Sequence, residues 1–219
     1  MSGLHPASQE RRRNWVGTLR RFARLPAVAA ERCDLCGRPV GPIHTHLIEL
    51  KSRRFFCACT ACTERSKHDT AELYRPVPQQ ARALTDFRMS DAEWDALAIP
   101  IGLAFFFKSE QSGRVTAMYP GPAGAVQCLL DLGAWQSLVL VNPQLEGLRP
   151  EVEALLIYRL NSARRYYIAP IDRCYALAGL MRQQWRGFSG GAAVWESIER
   201  FFDELQSGIE QPRAVRSHG

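Results

Sequence analysis

The chain has no run of about 18 consecutive apolar residues, so no segment of it reads as a transmembrane helix. It has no internal repeat and no low-complexity tract, which argues against a solenoid, a propeller or an extended linker. Lysine is scarce: three, against 25 arginines. Such a skew often accompanies a high-GC genome, so the arginine count by itself is not a mark of recognition. The amino terminus is arginine-rich and lacks the apolar stretch of a secretory signal; Arg20-Arg21-Phe22 echoes a twin-arginine signal, but Arg24 and Pro26 break the apolar stretch that such a signal needs next. A cytoplasmic protein with reduced thiols is expected. The composition is near the globular average, with 46% apolar, 23% charged and 10% aromatic residues, which excludes a fibrous, collagenous or wholly disordered chain. At 219 residues it suits one or two domains.

The formal charge of +6 is unevenly placed. Residues 1–32 carry +5, residues 33–66 carry +2, and the remaining 153 carry −1. A basic end of this kind attracts nucleic acid, an anionic membrane or an acidic protein. Within it, residues 9–25 have helical periodicity: Trp15, Leu19, Phe22 and Ala23 form a stripe, while Arg11, Arg12, Arg13, Arg20 and Arg24 lie elsewhere. That stripe either packs on the protein's own body or docks on a partner or a membrane surface.

Four regions are expected: a basic helix and tail over 1–30, a cysteine module over 31–75, an α+β domain over 85–206, and a flexible tail over 207–219. Residues 76–89, with Pro76 and Pro78, read as a linker. Ser90-Asp91-Ala92-Glu93 is a capping box opening a short helix. Strands are expected over 101–108, 114–119 and 125–130, a helix over 134–141, a hairpin from 152–160 and 165–169, and helices over 172–185 and 192–205. Strands followed by helices, without regular alternation, indicate an α+β fold with an antiparallel sheet.

Five of the seven cysteines fall between Cys33 and Cys62. Cys33-Asp34-Leu35-Cys36-Gly37 places two thiols on a tight turn, with the glycine free to take a positive φ. Cys59 and Cys62 supply a second pair after 22 intervening residues. Two such pairs read as a tetrahedral four-thiolate site for zinc, with iron as the alternative occupant. The expected order is a knuckle, a hairpin over 43–50 and 53–58, then a helix over 63–73 with the second pair at its start. That order resembles a treble clef more than a zinc ribbon. Cys57 competes with Cys59 as a ligand, because alternate residues of an extended segment share a side. His44 and His46 are either exposed flanking groups or further alternative ligands. A closed four-thiolate zinc site stabilises a fold; iron in the same ligands would carry electrons.

Signs of enzymatic chemistry are few. The cysteine pairs and the histidine hairpin look like those of HNH-type endonucleases, but Thr45 stands where an acidic residue is needed, and no Asn lies between His46 and Cys59. Gly187-Phe188-Ser189-Gly190-Gly191 matches the serine-hydrolase elbow formally, yet a helix precedes it and only His218 comes after it. It reads as an interhelical turn or, with Trp185, Arg186 and Phe188, as a recognition surface. Pro120–Gly124 lacks the Lys-Ser/Thr of a phosphate loop. Cys128 and Cys174 read as core residues, and Glu151 and Glu153 as a solvated pair on one side of a strand.

Several segments in order carry a resemblance: Phe22-Ala23-Arg24, Cys33-Asp34-Leu35-Cys36-Gly37, Cys57-Ala58-Cys59 with Cys62, Ile99-Pro100, Ala104-Phe105-Phe106-Phe107, Tyr119-Pro120, Pro122-Ala123-Gly124-Ala125, Pro170-Ile171-Asp172 and Trp185-Arg186-Gly187-Phe188-Ser189-Gly190-Gly191. Together they resemble an uncharacterised, mainly actinobacterial family often encoded beside high-affinity nickel–iron hydrogenases. The resemblance implies an accessory or maturation factor for a redox metalloenzyme, with a hydrogenase subunit or another maturation factor as partner. It implies no catalytic residue. The expected function is therefore non-catalytic, with Arg12, Arg13, Trp15, Arg20, Phe22, Trp185, Arg186 and Phe188 as the candidate partner surface. The competing readings are a rubredoxin-like iron electron carrier and a nucleic-acid-binding zinc protein.

Overall fold

The computed structural model describes residues 31–128, 132–187 and 190–210. The amino-terminal helix expected over 9–25, with Arg12, Arg13, Trp15, Arg20 and Phe22, lies outside the described residues, as do Phe188, Ser189 and the end of the tail.

Two antiparallel sheets organise the chain. The small one has the order β2-β1-β3, built from β1 (Thr45–Glu49), β2 (Phe55–Ala58) and β3 (Tyr74–Pro76). Helix α1 (Thr60–His68) lies between β2 and β3 in sequence. The large sheet has six strands in the order β4-β9-β8-β5-β6-β7. They are β4 (Arg82–Ala83), β5 (Leu103–Lys108), β6 (Val115–Gly121), β7 (Gly124–Cys128), β8 (Glu153–Tyr158) and β9 (Arg165–Pro170). Helices α2 (Asp91–Ala96), α3 (Leu132–Val141), α4 (Ile171–Gln184) and α5 (Ala192–Glu210) complete the fold, which is α+β with C-terminal helices.

The apolar run of β5 is explained by burial on both faces. Leu103, Phe105 and Phe107 point into one core, Ala104 and Phe106 into the other, and all five are at most 2% exposed. β8 repeats the alternation, with Ala154, Leu156 and Tyr158 on the first face and Leu155 and Ile157 on the second. A strand covered on both sides loses the apolar–polar alternation of a half-exposed one. α4 and α5 cover the first face through Leu177, Met181, Val194, Ile198 and Phe202. Trp135 and Leu138 of α3 cover the second, Trp135 stacking on Phe106 with ring centroids 5.5 Å apart. Cys174 is wholly buried in the first core and Cys128 packs at the edge of the second.

Local signals explain the element boundaries. The Ser90 hydroxyl accepts from the Glu93 N–H, and the Glu93 carboxylate accepts from the Ser90 N–H, closing the capping box. Gly190 sits at φ 84°, where a Cβ would come 2.9 Å from Val194 and 3.1 Å from Trp185. Three departures from the sequence reading are the largest. Residues 76–89 are not a free linker: they hold the end of β3 and all of β4, and Val77 and Ala81 are buried. α1 begins at Thr60 and stops at His68, because Thr70–Tyr74 turns back into β3. α5 continues to Glu210, five residues past the expected end.

The small sheet packs on the large one. Ile48 of β1 is fully buried in the first core, with Leu50 and Phe55 against it. Phe55 meets Tyr175 of α4 at a centroid distance of 5.8 Å. Arg53, in the turn between β1 and β2, lies 4.2 Å above the Phe107 ring and pairs with Glu151.

Candidate metal centre

The first pair of thiols is set by a knuckle. Cys33 N–H donates to Arg38 O and Gly37 N–H to Cys33 O, both at 2.8 Å, with Gly37 at φ 73°. Arg32 and Pro39 close the turn as a bridge. Asp34 ties the knuckle to β2: its N–H donates to Cys57 O at 2.9 Å, and its carboxylate accepts from Cys57 N–H at 2.6 Å.

The second pair is set by α1. Cys59 is its N-cap residue, in extended conformation, and Cys62 lies in the first turn. The strand therefore ends between Cys57 and Cys59, and the two thiols part. Knuckle, hairpin and helix come in the order of a treble clef, with the second pair on a helix rather than a turn.

The ligand-capable sulfurs of Cys33, Cys36, Cys59 and Cys62 all lie within 4.8 Å of one another. Cys36 Sγ and Cys59 Sγ are 3.6 Å apart. That is far beyond a disulfide bond of about 2.05 Å. A tetrahedron with zinc–sulfur bonds of about 2.3 Å has sulfur–sulfur edges of about 3.8 Å. The set is thus compatible with a metal ion such as zinc or iron. Cys33 and Cys62 are buried, Cys59 is half-buried and Cys36 is exposed.

The thiols titrate unequally. Burial disfavours the Cys33 thiolate, but the N–H groups of Cys59, Leu35 and Cys36 outweigh it and bring the thiol down to about 6. Burial, together with the neighbouring Cys36 side chain, pushes Cys62 up to about 12. The Cys62 N–H lowers Cys59. Thiols this close cannot all ionise without a countercharge, so one falls while its neighbour rises. A divalent cation would supply that charge.

A second set lies beside the first. His44, His46 and Cys57 bring one ligand atom each within 4.8 Å of one another. His44 Nδ1 donates to Gly41 O at 2.9 Å, and His46 Nδ1 donates to the Asp172 carboxylate at 2.6 Å. That hydrogen bond raises the His46 pKa. Burial raises the Cys57 thiol, and the charges of Asp34 and Glu31 add to the rise. Cys57, His44 and His46 are therefore grouped with each other, apart from the four-thiol set.

The remaining residues singled out by sequence fall elsewhere. Trp185 Nε1 donates to Gly187 O at 2.8 Å and its ring meets Trp195 edge-on at 6.1 Å, so it packs into the interhelical turn. Arg186 is exposed and donates to the carbonyls of Gln183 and Trp185 at the end of α4. Glu151 and Glu153 are buried rather than solvated: Glu151 pairs with Arg53, and Glu153 with Arg149 and Arg82.

Two further residues at the site, Asp172 and Asp34, carry no functional signal in the sequence. Asp172 stands 126 residues from His46, and no spacing rule links them. Asp34 is, in sequence, only a filler of the Cys-x2-Cys turn.

Among the described residues, no helix is long and apolar enough to cross a membrane. No curated protein and no solved structure matches the chain. A family model does match, over residues 32–209, a span that takes in both sheets and the four helices α1 to α4 with nearly all of α5. The chain belongs to the family of unknown function DUF5947.

Proposed function

We propose that Cys33, Cys36, Cys59 and Cys62 hold one structural zinc ion, and that the protein is a non-catalytic accessory factor acting through protein contacts. The observation that carries this reading is the closed four-sulfur cluster at the base of a module whose Ile48 is buried in the main core. Four protein ligands leave a tetrahedral zinc ion no open position, so the ion fixes structure instead of activating a substrate. The ion holds the knuckle and α1 in place, and the module presents Leu35 and Ile43, both exposed apolar side chains, to a partner.

The family resemblance supplies the setting: maturation of or support for a redox metalloenzyme of the nickel–iron hydrogenase type, within the cytoplasm. Affinity purification of the full chain from its native host at moderate salt tests this. Recovery of a hydrogenase subunit or maturation factor supports the reading; its consistent absence from the eluate removes the hydrogenase setting.

One observation favours iron as the occupant. Cys36 is exposed and Cys59 only half-buried, so the cluster sits at the surface, where a rubredoxin-like centre would exchange electrons. Metal analysis with a visible spectrum separates the two. One zinc per chain and no visible absorption retains the structural reading. One iron with thiolate-to-iron absorption that bleaches on reduction replaces it with electron transfer.

A further inference from the structure

We propose that His44, His46 and Cys57 form a second metal site, distinct from the four-thiol set, that takes a divalent first-row transition ion of the zinc type and leaves one coordination position open.

The strongest sign is His44. Its side chain is 9% exposed, and its Nε2 is buried with no hydrogen-bond partner. Leaving such a buried nitrogen unsatisfied is costly. The other ring nitrogen explains which one is free. Nδ1 donates to Gly41 O, so in the neutral ring the lone pair is on Nε2. His46 is prepared in the same way. Its Nδ1 is held by Asp172, which again leaves Nε2 as the donor atom. A carboxylate on the far nitrogen of an imidazole is the usual support of a metal-bound histidine, fixing its tautomer and raising its basicity.

The third member is placed by backbone, not by chance of rotamer. Cys57 is locked to Asp34 through both its N–H and its carbonyl, and β1 pairs His46 with Cys57 directly across the hairpin. The two imidazoles meet edge-on with centroids 5.0 Å apart. Three carboxylates border the set: Asp172 on His46, Asp34 on the Cys57 backbone, and Glu31 at 3.5 Å from His44 Nδ1. Their negative charge favours a cation.

Two imidazoles and one thiolate suit zinc, cobalt, nickel or copper rather than calcium or magnesium. Three protein ligands with a free position mark an exchangeable or reactive centre, in contrast to the closed set next to it. The His46 side chain is 36% exposed, which gives solvent access to that position.

The second site is independent of what the four thiols hold, and one experiment separates the two. The full chain, stripped of metal under reducing conditions, is titrated with cobalt(II) without oxygen. Thiolate-to-cobalt charge transfer scales with the number of thiolate ligands, so the four-thiol site gives the intense band and the second site a weak one. Wild type is expected to take two equivalents. Cys57→Ser and His44→Gln are each expected to take one and to keep the intense band. Asp172→Asn, which acts through His46, is expected to weaken the second equivalent by roughly 10–100-fold. A single equivalent in wild type, or a second equivalent that survives in His44→Gln, overturns the proposal. Should Cys57→Ser lose the intense band as well, the module has collapsed, and His44→Gln decides alone. Absence of the intense band in wild type would instead refute the four-thiol reading, and loss of the weak band in His44→Gln would still decide the second site.

Discussion

Removing the ion from the four-thiol set should destabilise the large sheet, not only the module that holds the ion. The link is Ile48. It lies in β1 at full burial, inside the core formed by β5, β8, β9, α4 and α5. The register of β1 against β2 depends on the knuckle and on α1, both of which end on the clustered thiols. When the module loosens, Ile48 leaves the core, and truncating a buried Ile costs about 2–5 kcal/mol. Phe55 leaves Tyr175, and Arg53 leaves Glu151, whose side chain is only 3% exposed. Taking about 3–5 kcal/mol for the apolar part alone, out of a typical 5–15, the body should lose a large share of its stability. With a urea slope of about 2 kcal/mol per molar, the midpoint should fall by about 1.5–2.5 M. Trp94, Trp135, Trp185 and Trp195 lie in the body, and with the fifth removed by Trp15→Phe, fluorescence reports that transition rather than the module's own. The measurement is urea unfolding of the full chain with and without chelator, with metal loss verified by elemental analysis. Ile48→Ala in the metal-loaded protein should reproduce much of the shift. An unchanged tryptophan midpoint after verified metal loss would refute the coupling.

The Arg53–Glu151 pair can be isolated by a double-mutant cycle. Arg53→Met should cost more than the double variant Arg53→Met with Glu151→Gln, because it strands a buried carboxylate; equal costs in thermal melts would remove the pair from the account. Two glycines should respond in opposite directions. A Cβ at Gly102 would clash with the Arg159 carbonyl oxygen, so Gly102→Ala should cost about 1–3 kcal/mol. Gly179, inside α4 with open space around it, should gain about 0.5–1 kcal/mol on the same change; a destabilised Gly179→Ala would show that the helix face is covered. Burial disfavours ionised Glu153, yet the Arg149 side chain and N–H reverse this and hold its pKa below the ordinary 4.5. Because the folded value is the lower one, its contribution is present above pH 4.5 and is lost as the pH falls through the folded value. The melting difference between wild type and Glu153→Gln should therefore be full at neutral pH and shrink in acid; a pH-independent difference would contradict it.

The main elements were legible because their signals are local. The double-sided apolar run of 103–108, the capping box at Ser90 and the Cys-x2-Cys pairs each sit within a few residues of chain. What stayed hidden depends on distance or on where an element ends. The alternation rule grouped Cys57 with Cys59, but it applies only while the strand lasts, and the strand stops at Ala58. Glu151 and Glu153 read as solvated because Arg53 is 98 residues from Glu151, and nothing local announces that partner. Val77 and Ala81 read as linker because the two-residue edge strand that follows them carries almost no periodic signal.

One hairpin therefore supports two ligand sets with opposite characters. The four-thiol set joins the knuckle to the first turn of α1, entirely within residues 33–62. All its ligands belong to the module, and it reaches the body only through Ile48 of the hairpin. The histidine set draws its support from Asp172, in the first turn of α4, and so from the body. A ligand arriving there meets a residue whose helix covers the large sheet through Leu177 and Met181. His46 is tied to α4 by its hydrogen bond to Asp172, and Ile48, two residues along the same strand, enters the shared core. The closed site thus fixes the hairpin, and the hairpin holds the open site against the body. Emptying the second site, as in His44→Gln, should leave the first ion bound.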